Sequence, residues 1–282
     1  MDPHQTEVRS LVEAALHEDA PEGDLTARLT VLEEATCRAE LRAKANGVLA
    51  GRDVAQAVFD VVGEQDGAPL DVTWDRQDGD EVGPGDVIAS VSGRAHSVLR
   101  AERVAINFLA HLSGVATLTR AFVEAAKPAK VLNTRKTTPG LRPLERDAVL
   151  AGGGTLHRAS LSDAVLIKDN HLKLSGGVAT AVAAAKAGGV PVEVEVESVA
   201  ELDEALAAGA DRILLDNPTA DLVREAVARV GDPERLEISG GVTLDSVPLL
   251  VAAGARVISV GRITHSAPSL DLSLEVMDVD QV

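Results

Sequence analysis

From about residue 130 onward, short runs of β-branched and aliphatic residues recur roughly every 20 residues, with segments of helical period between them. "VEVEV" begins at Val192, "RILL" at Arg212, "LEIS" at Leu236 and "RVISV" at Arg256; "VAELDEALAAG", "ADLVREAVARV" and "LDSVPLLVAAG" separate them. Strands joined through helices run parallel, since a tight turn can join only antiparallel neighbours. The runs also read as buried on both faces, which a barrel wall requires. A closed α/β barrel is therefore the first expectation and a doubly wound open sheet the second. No GxGxxG opens the repeat, so nothing favours a dinucleotide fold.

The first 127 residues have a different texture. "QTEVRSLVEAALHE" places Val8, Leu11, Val12, Ala15 and Leu16 on one helical face. "CRAELRAK" alternates as a half-buried strand, "GVLAG" reads as a short apolar strand between glycines, and "RDVAQAVFDVV" returns to helical period. "DGDEVGPGDVIASVSG" predicts short strands joined by turns. That texture is shared with biotinyl and lipoyl carrier domains, which present a modifiable lysine at a hairpin tip. No lysine occurs between Lys44 and Lys127, so a carrier role has no support. Residues 97–127 carry one long helical pattern, with a break or a close contact expected at Gly114.

Composition narrows the partners. A chain of 282 residues with 45% apolar content can build one large core or two ordinary ones. A single cysteine, Cys37, leaves no disulfide framework and no cysteine-based zinc site. No apolar run approaches the roughly 18 residues of a membrane helix, and "MDPHQTEVRS" lacks the order of a signal peptide. A soluble cytoplasmic protein without a membrane partner is the expectation. Nucleic acid is disfavoured as well, because a net charge of −17 opposes phosphate binding and 1% aromatics leaves few stacking platforms.

Against this acidic background, residues 131–172 form a basic island. Arg135, Lys136, Arg142, Arg146, Arg158 and Lys168 outnumber Glu145, Asp147, Asp163 and Asp169, a net of +2. A locally positive cleft suits a small anionic ligand; the alternative is a solvated face of ion pairs. In an α/β barrel the loops after the strands build the active site. Polar residues stand there: Glu195 and Glu197, Asp216 and Asn217, Ser239 with Gly240 and Gly241, and Gly261 with Arg262. Asp216 alone would also fit a helix cap. "ISGGV" and "SVGR" follow the last two strands, where barrels commonly bind phosphate through glycine N–H groups and a helix N-terminus. Thr134, Arg135 and Lys136, His157 and Arg158, and Lys168 lie in segments that can converge on one cleft. Arginine offers a fork for carboxylate or phosphate, and lysine a movable point charge. His157, His171 and His265 could equally be satisfied structural histidines.

"ALHEDAPEGDLT", "AERVAINFLAHLSGVATLT", "NTRKTTPGLRPLE", "AGGGTLHR", "LSDAVLIKDNH", "VEVEVES", "ILLDN", "EISGGV" and "SVGRITHS" together resemble the quinolinate phosphoribosyltransferase family. The resemblance spans nearly the whole chain in order. It implies an N-terminal α/β sandwich domain over residues 1–112 and an incomplete α/β barrel of about seven strands over residues 113–265. A C-terminal tail, residues 266–282, is expected to pack back on the first domain. It also implies a homodimer with shared active sites, with a higher oligomer as the alternative.

The implied reaction joins quinolinate to phosphoribosyl pyrophosphate with Mg²⁺, giving nicotinate mononucleotide, pyrophosphate and carbon dioxide. By resemblance, Arg103, Arg135 and Arg158 grip the carboxylates of quinolinate. Thr134, Lys136, His157 and Lys168 help hold quinolinate and the phosphate groups. Glu195 and Asp216 bind the ribose hydroxyls and stabilise the developing cation; Ser239, Gly240, Gly241 and Gly261, followed by Arg262, receive the 5-phosphate. Lys136, Lys168, Glu195 and Asp216 form the expected catalytic set. Asn133, Asp147, Leu156 and Arg262 depart from residues the family more often shows. Two alternatives accompany this reading. One is a paralogue acting on another pyridine or aromatic acid, although the homologues associated with molybdenum transport typically lose the "KDNH" present here at Lys168 to His171. The other is a Schiff-base aldolase with Lys168 as the amine nucleophile.

Overall fold

The computed structural model describes residues 3–280. The outermost two residues of the expected N-terminal domain and of the C-terminal tail lie outside this range. The chain opens with helices α1 (Pro3–Asp19) and α2 (Leu25–Thr30), strands β1 (Thr36–Ala43) and β2 (Gly47–Val48), and helix α3 (Arg52–Gln65). Strands β3 (Asp71–Trp74), β4 (Glu81–Val82) and β5 (Val87–Arg94) lead into the long helix α4 (Ala95–Ala126). Gly114 does not break that helix. A Cβ there would stand 2.1 Å from the Pro268 carbonyl oxygen, so the glycine serves the close approach of two backbones.

The second region contains β6 (Lys130–Leu132), α5 (Arg142–Ala151), β7 (Val165–Ile167), α6 (Asp169–Ser175), α7 (Val178–Lys186) and β8 (Val192–Val196). It continues with α8 (Val199–Ala207), β9 (Arg212–Asp216), α9 (Ala220–Val230), β10 (Leu236–Ser239), α10 (Val247–Ala252), β11 (Val257–Ser259) and α11 (Arg262–His265). A last strand, β12 (Leu272–Asp280), ends the described chain.

Packing divides these elements into two compact units. One comprises residues 1–118, 139–152 and 267–282, the other residues 119–138 and 153–266. In the first, an antiparallel sheet runs in the order β12-β1-β5-β3, so residues of the tail pair directly with β1. Its core includes Leu41 of β1, Phe59 of α3 and Ile88 of β5, each fully buried. The helix α5 belongs to this unit, although strands of the other unit precede and follow it in sequence.

The second unit is a parallel sheet in the order β6-β11-β10-β9-β8-β7. From β7 to β11 each strand lies beside its predecessor, and the first strand, β6, pairs with the last, β11. A doubly wound sheet would reverse direction at an internal strand; this one winds round in a single sense. An isolated parallel bridge from Leu132 to Thr155 adds a rudimentary seventh wall position beside β6. The result is an incomplete α/β barrel, open between that bridge and β7.

Two-residue periodicity sorts the wall. In β8, Val192, Val194 and Val196 are almost fully buried on one face, while Glu193 and Glu195 alternate with them. Ile213, Leu215, Leu236 and Ile238 are likewise fully buried. Burying each such side chain contributes about 1.5 to 3 kcal/mol. The helices have local start and stop signals: Thr219 caps α9 by accepting from Leu222 N–H, and Gly231, with φ 74°, ends it. Along α9, Val223, Ala226 and Val230 form the buried stripe.

Candidate active site

Parallel strands with this alternation aim every second residue into the barrel, and the register aligns those residues in layers. Glu195 pairs laterally with Leu214, Leu214 with Glu237, and Asp216 with Ser239. At the C-terminal ends of these strands lies a cavity of about 440 Å³. Thr134, Arg135, Lys136, His157, Arg158, Lys168, Glu195, Asp216 and Ser239 line it, joined by Leu166, Asp169, Leu214, Glu237 and Ser259. A larger groove, about 780 Å³, lies in the first unit beside α1 and α3. Its walls carry Asp53, Asp60, Glu64 and Asp78, a lining unsuited to an anionic ligand. The barrel cavity combines several cations, Arg135, Lys136, Arg158 and Lys168, with facing carboxylates.

The cations are anchored through their backbones and stems. The Lys136 N–H donates to Thr134 Oγ1 at 3.1 Å, and its carbonyl accepts from the buried Thr264 hydroxyl at 2.8 Å. Lys168 ion-pairs with Glu195 across the cavity. Arg158 donates through Nη1 to the Ala164 carbonyl at 2.9 Å. The intervening loop is closed by Asp163, which accepts from the N–H groups of Ala159 and Ser160 at 2.6 and 3.0 Å. Burial pushes the Arg158 pKa down, and the like charge of Arg135 adds to that push, against the opposing pull of Glu193 and Asp163. Two guanidinium groups so placed favour an incoming anion.

His157 occupies the floor. Its backbone N–H donates to the Oδ1 of Asn133 at 2.8 Å, and Asn133 is itself almost fully buried after β6. In the neutral ring, Nδ1 accepts from the Arg158 backbone N–H at 2.8 Å and the ring hydrogen sits on Nε2. Nε2 faces two carboxylates, Glu193 at 3.6 Å and Glu237 at 3.4 Å. Glu193 and Glu237 pull the His157 pKa up to about 9, against the opposing effect of burial. Burial works against ionisation of Glu237, but His157, the Ser259 hydroxyl at 2.5 Å and Arg212 outweigh it and hold that carboxyl below its usual range. His157, Glu193 and Glu237 each bring a ligand-type atom within 4.8 Å of the others. The hydrogen on Nε2 and the nearby Arg212 guanidinium make this group an ion-pair network rather than a cation cage.

The glycine segments lie at the ends of β10 and β11. Gly240 has φ 85°, and a Cβ there would come within 2.5 Å of Asn217. Asn217 in turn donates through Nδ2 to Asp216 at 2.7 Å. A Cβ at Gly261 would approach Lys136 Cδ at 3.2 Å, so this glycine sits directly beside the lysine stem. The helix dipole expected after these glycines is small, because α11 is a single turn and α10 starts only at Val247. Gly240, Gly241, Gly261 and Arg262 are not among the residues lining the cavity, and Arg262 is exposed. Arg103 lies on α4 in the first unit with its side chain 60% exposed, 3.9 Å from Glu102. His171 accepts from the Lys168 N–H at the start of α6, and His265 contacts Ser266, so both have local structural partners. Asp147 and Glu145 fall in the first unit with α5.

Comparison with known proteins agrees with this geometry at both levels. Family-wide patterns described as "Quinolinate phosphoribosyl transferase, N-terminal domain" and "C-terminal domain" match residues 24–113 and 115–275. The chain belongs to the quinolinate phosphoribosyltransferase family. Among curated family members, it is 41% identical to the probable carboxylating nicotinate-nucleotide pyrophosphorylase of Bacillus subtilis, over 96% of this chain and 93% of that one. It is 42% identical to the Archaeoglobus fulgidus protein of the same description, over 91% and 99%. The solved nicotinate-nucleotide pyrophosphorylase of Francisella tularensis superposes with a TM-score of 0.90 at 37% identity, covering 96% of both chains. NadC from Streptococcus pyogenes superposes at 0.88 with 38% identity, covering 99% of both. The family's transferase scaffold is thus present over the whole described chain. Among the described residues, no helix is long and apolar enough to cross a membrane.

Sequence reasoning did not single out Glu193, Glu237, Ser259, Leu166, Asp169 or Leu214 as site residues. A signal was present for five of them, all but Asp169: each lies two residues before a strand-end position that was singled out, and so on the same strand face.

Proposed function

We propose that the barrel cavity transfers the phosphoribosyl group of phosphoribosyl pyrophosphate to quinolinate with loss of carbon dioxide, giving nicotinate mononucleotide and pyrophosphate. The observation that carries this reading is the convergence of Arg135, Lys136, Arg158 and Lys168 with Glu195 and Asp216 in one cavity of an otherwise acidic protein. Quinolinate brings two carboxylates, and the co-substrate brings a 5-phosphate and a pyrophosphate. Arg135 and Arg158 receive the pyridine carboxylates, with Lys136, His157 and Lys168 completing the anion contacts. Thr134 lies beside them. Ser239, Gly240, Gly241 and Gly261 receive the 5-phosphate.

As pyrophosphate leaves, positive charge develops at the anomeric carbon. Glu195 and Asp216 hold the ribose hydroxyls and offset that charge, which is where the barrier is lowered. The pyridine nitrogen attacks the anomeric carbon and becomes cationic. The adjacent carboxylate then departs as carbon dioxide, its bonding pair remains on the ring carbon next to the cationic nitrogen, and a proton takes its place. No further electron sink is required. Holding the two substrates in register supplies much of the acceleration.

Magnesium belongs to this reading as a companion of pyrophosphate. Lys168 already pairs with Glu195 and Asn217 with Asp216, so these two carboxylates are engaged by protein partners. A pyrophosphate-borne ion that keeps most of its waters fits better. Arg103, exposed and outside the cavity lining, serves the site of a second copy in a homodimer.

The test supplies phosphoribosyl pyrophosphate and Mg²⁺ with either quinolinate or nicotinate, and measures nicotinate mononucleotide and carbon dioxide. Equal amounts of both products from quinolinate, and none from nicotinate, are expected. Turnover of another pyridine or aromatic acid but not quinolinate would overturn the assignment.

A further inference from the structure

The carboxylates beneath His157 have no part in the mechanism above, yet they are among the most buried charges in the barrel. Glu237 is 1% exposed and Glu193 8%. Each keeps one oxygen, Glu193 Oε1 and Glu237 Oε2, buried without a hydrogen bond. Leaving charges in that condition is costly unless cations answer them. Arg212 answers in part, 3.6 Å from Glu193 and 3.9 Å from Glu237. It is one positive charge against two negative ones. The remaining group within reach is the His157 ring, whose Nε2 stands between both carboxylates.

We propose that Glu193 and Glu237 are positioning residues for the quinolinate site: from the inner wall below the cavity they fix the His157 ring through Nε2 and hold it positively charged. This inference rests on the reading that His157 contacts a quinolinate carboxylate. Four wall strands support the device. Glu193 comes from β8, Arg212 from β9, Glu237 from β10, and Ser259 from β11 donates to Glu237 at 2.5 Å. Asn133, after β6, fixes the ring's own backbone from the other side. The cavity that the ring lines also carries the cations Arg135, Lys136, Arg158 and Lys168 and the carboxylates Asp169, Glu195 and Asp216. Burial is what opposes a charged ring, and the two carboxylates outweigh it.

Nε2 carries a hydrogen whether the ring is neutral or charged, so the grip on its orientation persists in both states. What the carboxylates add is the second proton, on Nδ1. Acquiring it turns Nδ1 from an acceptor of the Arg158 N–H into a donor, and both groups can then serve a bound carboxylate. Because the folded pKa is raised, to about 9, the charged ring is present below that pH and is lost as pH rises through it.

Glu237→Gln and Glu193→Gln separate the two roles, since an amide keeps a polar side chain of the same size facing Nε2–H but brings no charge. Steady-state kinetics from pH 6 to pH 9.5 would give KM for each substrate, with melting curves as a check on folding. Losing one of two opposite charges should move the alkaline rise in quinolinate KM down by about one pH unit or more. Near pH 8 the quinolinate KM should then exceed wild type by about twofold, rising to about eightfold at pH 9.5. The KM for phosphoribosyl pyrophosphate should follow the wild-type profile throughout. If Glu237→Gln fails to fold, Glu193→Gln carries the same expectation. Wild-type pH profiles in folded variants, or equal shifts in both KM values, would overturn the proposal. Failure of the underlying reading is distinguishable, because His157→Ala would then leave quinolinate KM unchanged.

Discussion

Replacing Gly240 by alanine tests whether the turn after β10 is as tightly fitted as it looks. Its φ of 85° lies in the left-handed region, which costs an L-residue about 1 to 2 kcal/mol. The new Cβ would also meet Asn217 Cγ at 2.5 Å and Asn217 N at 2.7 Å. Rotating the Asn217 side chain cannot relieve the second contact, because that backbone N–H is held by the Ser239 carbonyl at 2.8 Å. Overpacking of this kind costs about 1 to 3 kcal/mol, for a total of about 2 to 5 kcal/mol. At roughly 2 to 4 °C per kcal/mol, the variant should melt at least about 4 °C below wild type. Displacing Asn217 also disturbs Asp216, its hydrogen-bond partner. Kinetics should therefore show a raised KM for phosphoribosyl pyrophosphate and a lower kcat, with quinolinate KM within about twofold. Scanning calorimetry and initial rates with each substrate varied would read both effects. An unchanged melting temperature together with a wild-type phosphoribosyl pyrophosphate KM would refute the reasoning.

Three further outcomes are expected. Arg158→Ala should weaken quinolinate use by about 2 to 5 kcal/mol while sparing the co-substrate, as judged by the two KM values; unchanged quinolinate kinetics would remove Arg158 from the site. Asp216→Asn should bind both substrates yet slow turnover, since an amide can hold a ribose hydroxyl but cannot balance a cation; a change confined to KM would leave Asp216 with a positioning role only. Mixing Arg103→Ala with Lys136→Ala protein under subunit exchange should restore activity, because one site of the heterodimer then has both native groups. No recovery despite demonstrated exchange would mean that Arg103 serves no site in trans.

The barrel was legible because its strands are spaced too far apart for hairpins and too regularly for loops. Whether it closed was not legible, since only the pairing of β6 with β11 distinguishes a wound wall from an open sheet. The strand-end residues Glu195, Asp216 and Ser239 were found because each interrupts an apolar run. Glu193 and Glu237 were passed over because a strand taken as buried leaves no place for an inward carboxylate. The alternation in "VEVEV" already placed Glu193 on the face of Glu195. Glu145 shows a different limit. It counted as one of the island's acidic charges, but it is fully buried and 2.9 Å from His111, a partner 34 residues away that no local period reveals. The same kind of contact assigns α5 to the first unit.

The pairing of β12 with β1 affects how the chain is made. The first unit begins at the N-terminus, but its sheet lacks one neighbour of β1 until residues 272–280 have been synthesised. All segments of the barrel unit, through residue 266, emerge earlier. Domains commonly fold in the order of their synthesis. Here the unit that starts first is the one completed last, so a nascent chain holding a finished barrel still carries a strand with one open edge. That edge is the segment most in need of protection while translation continues.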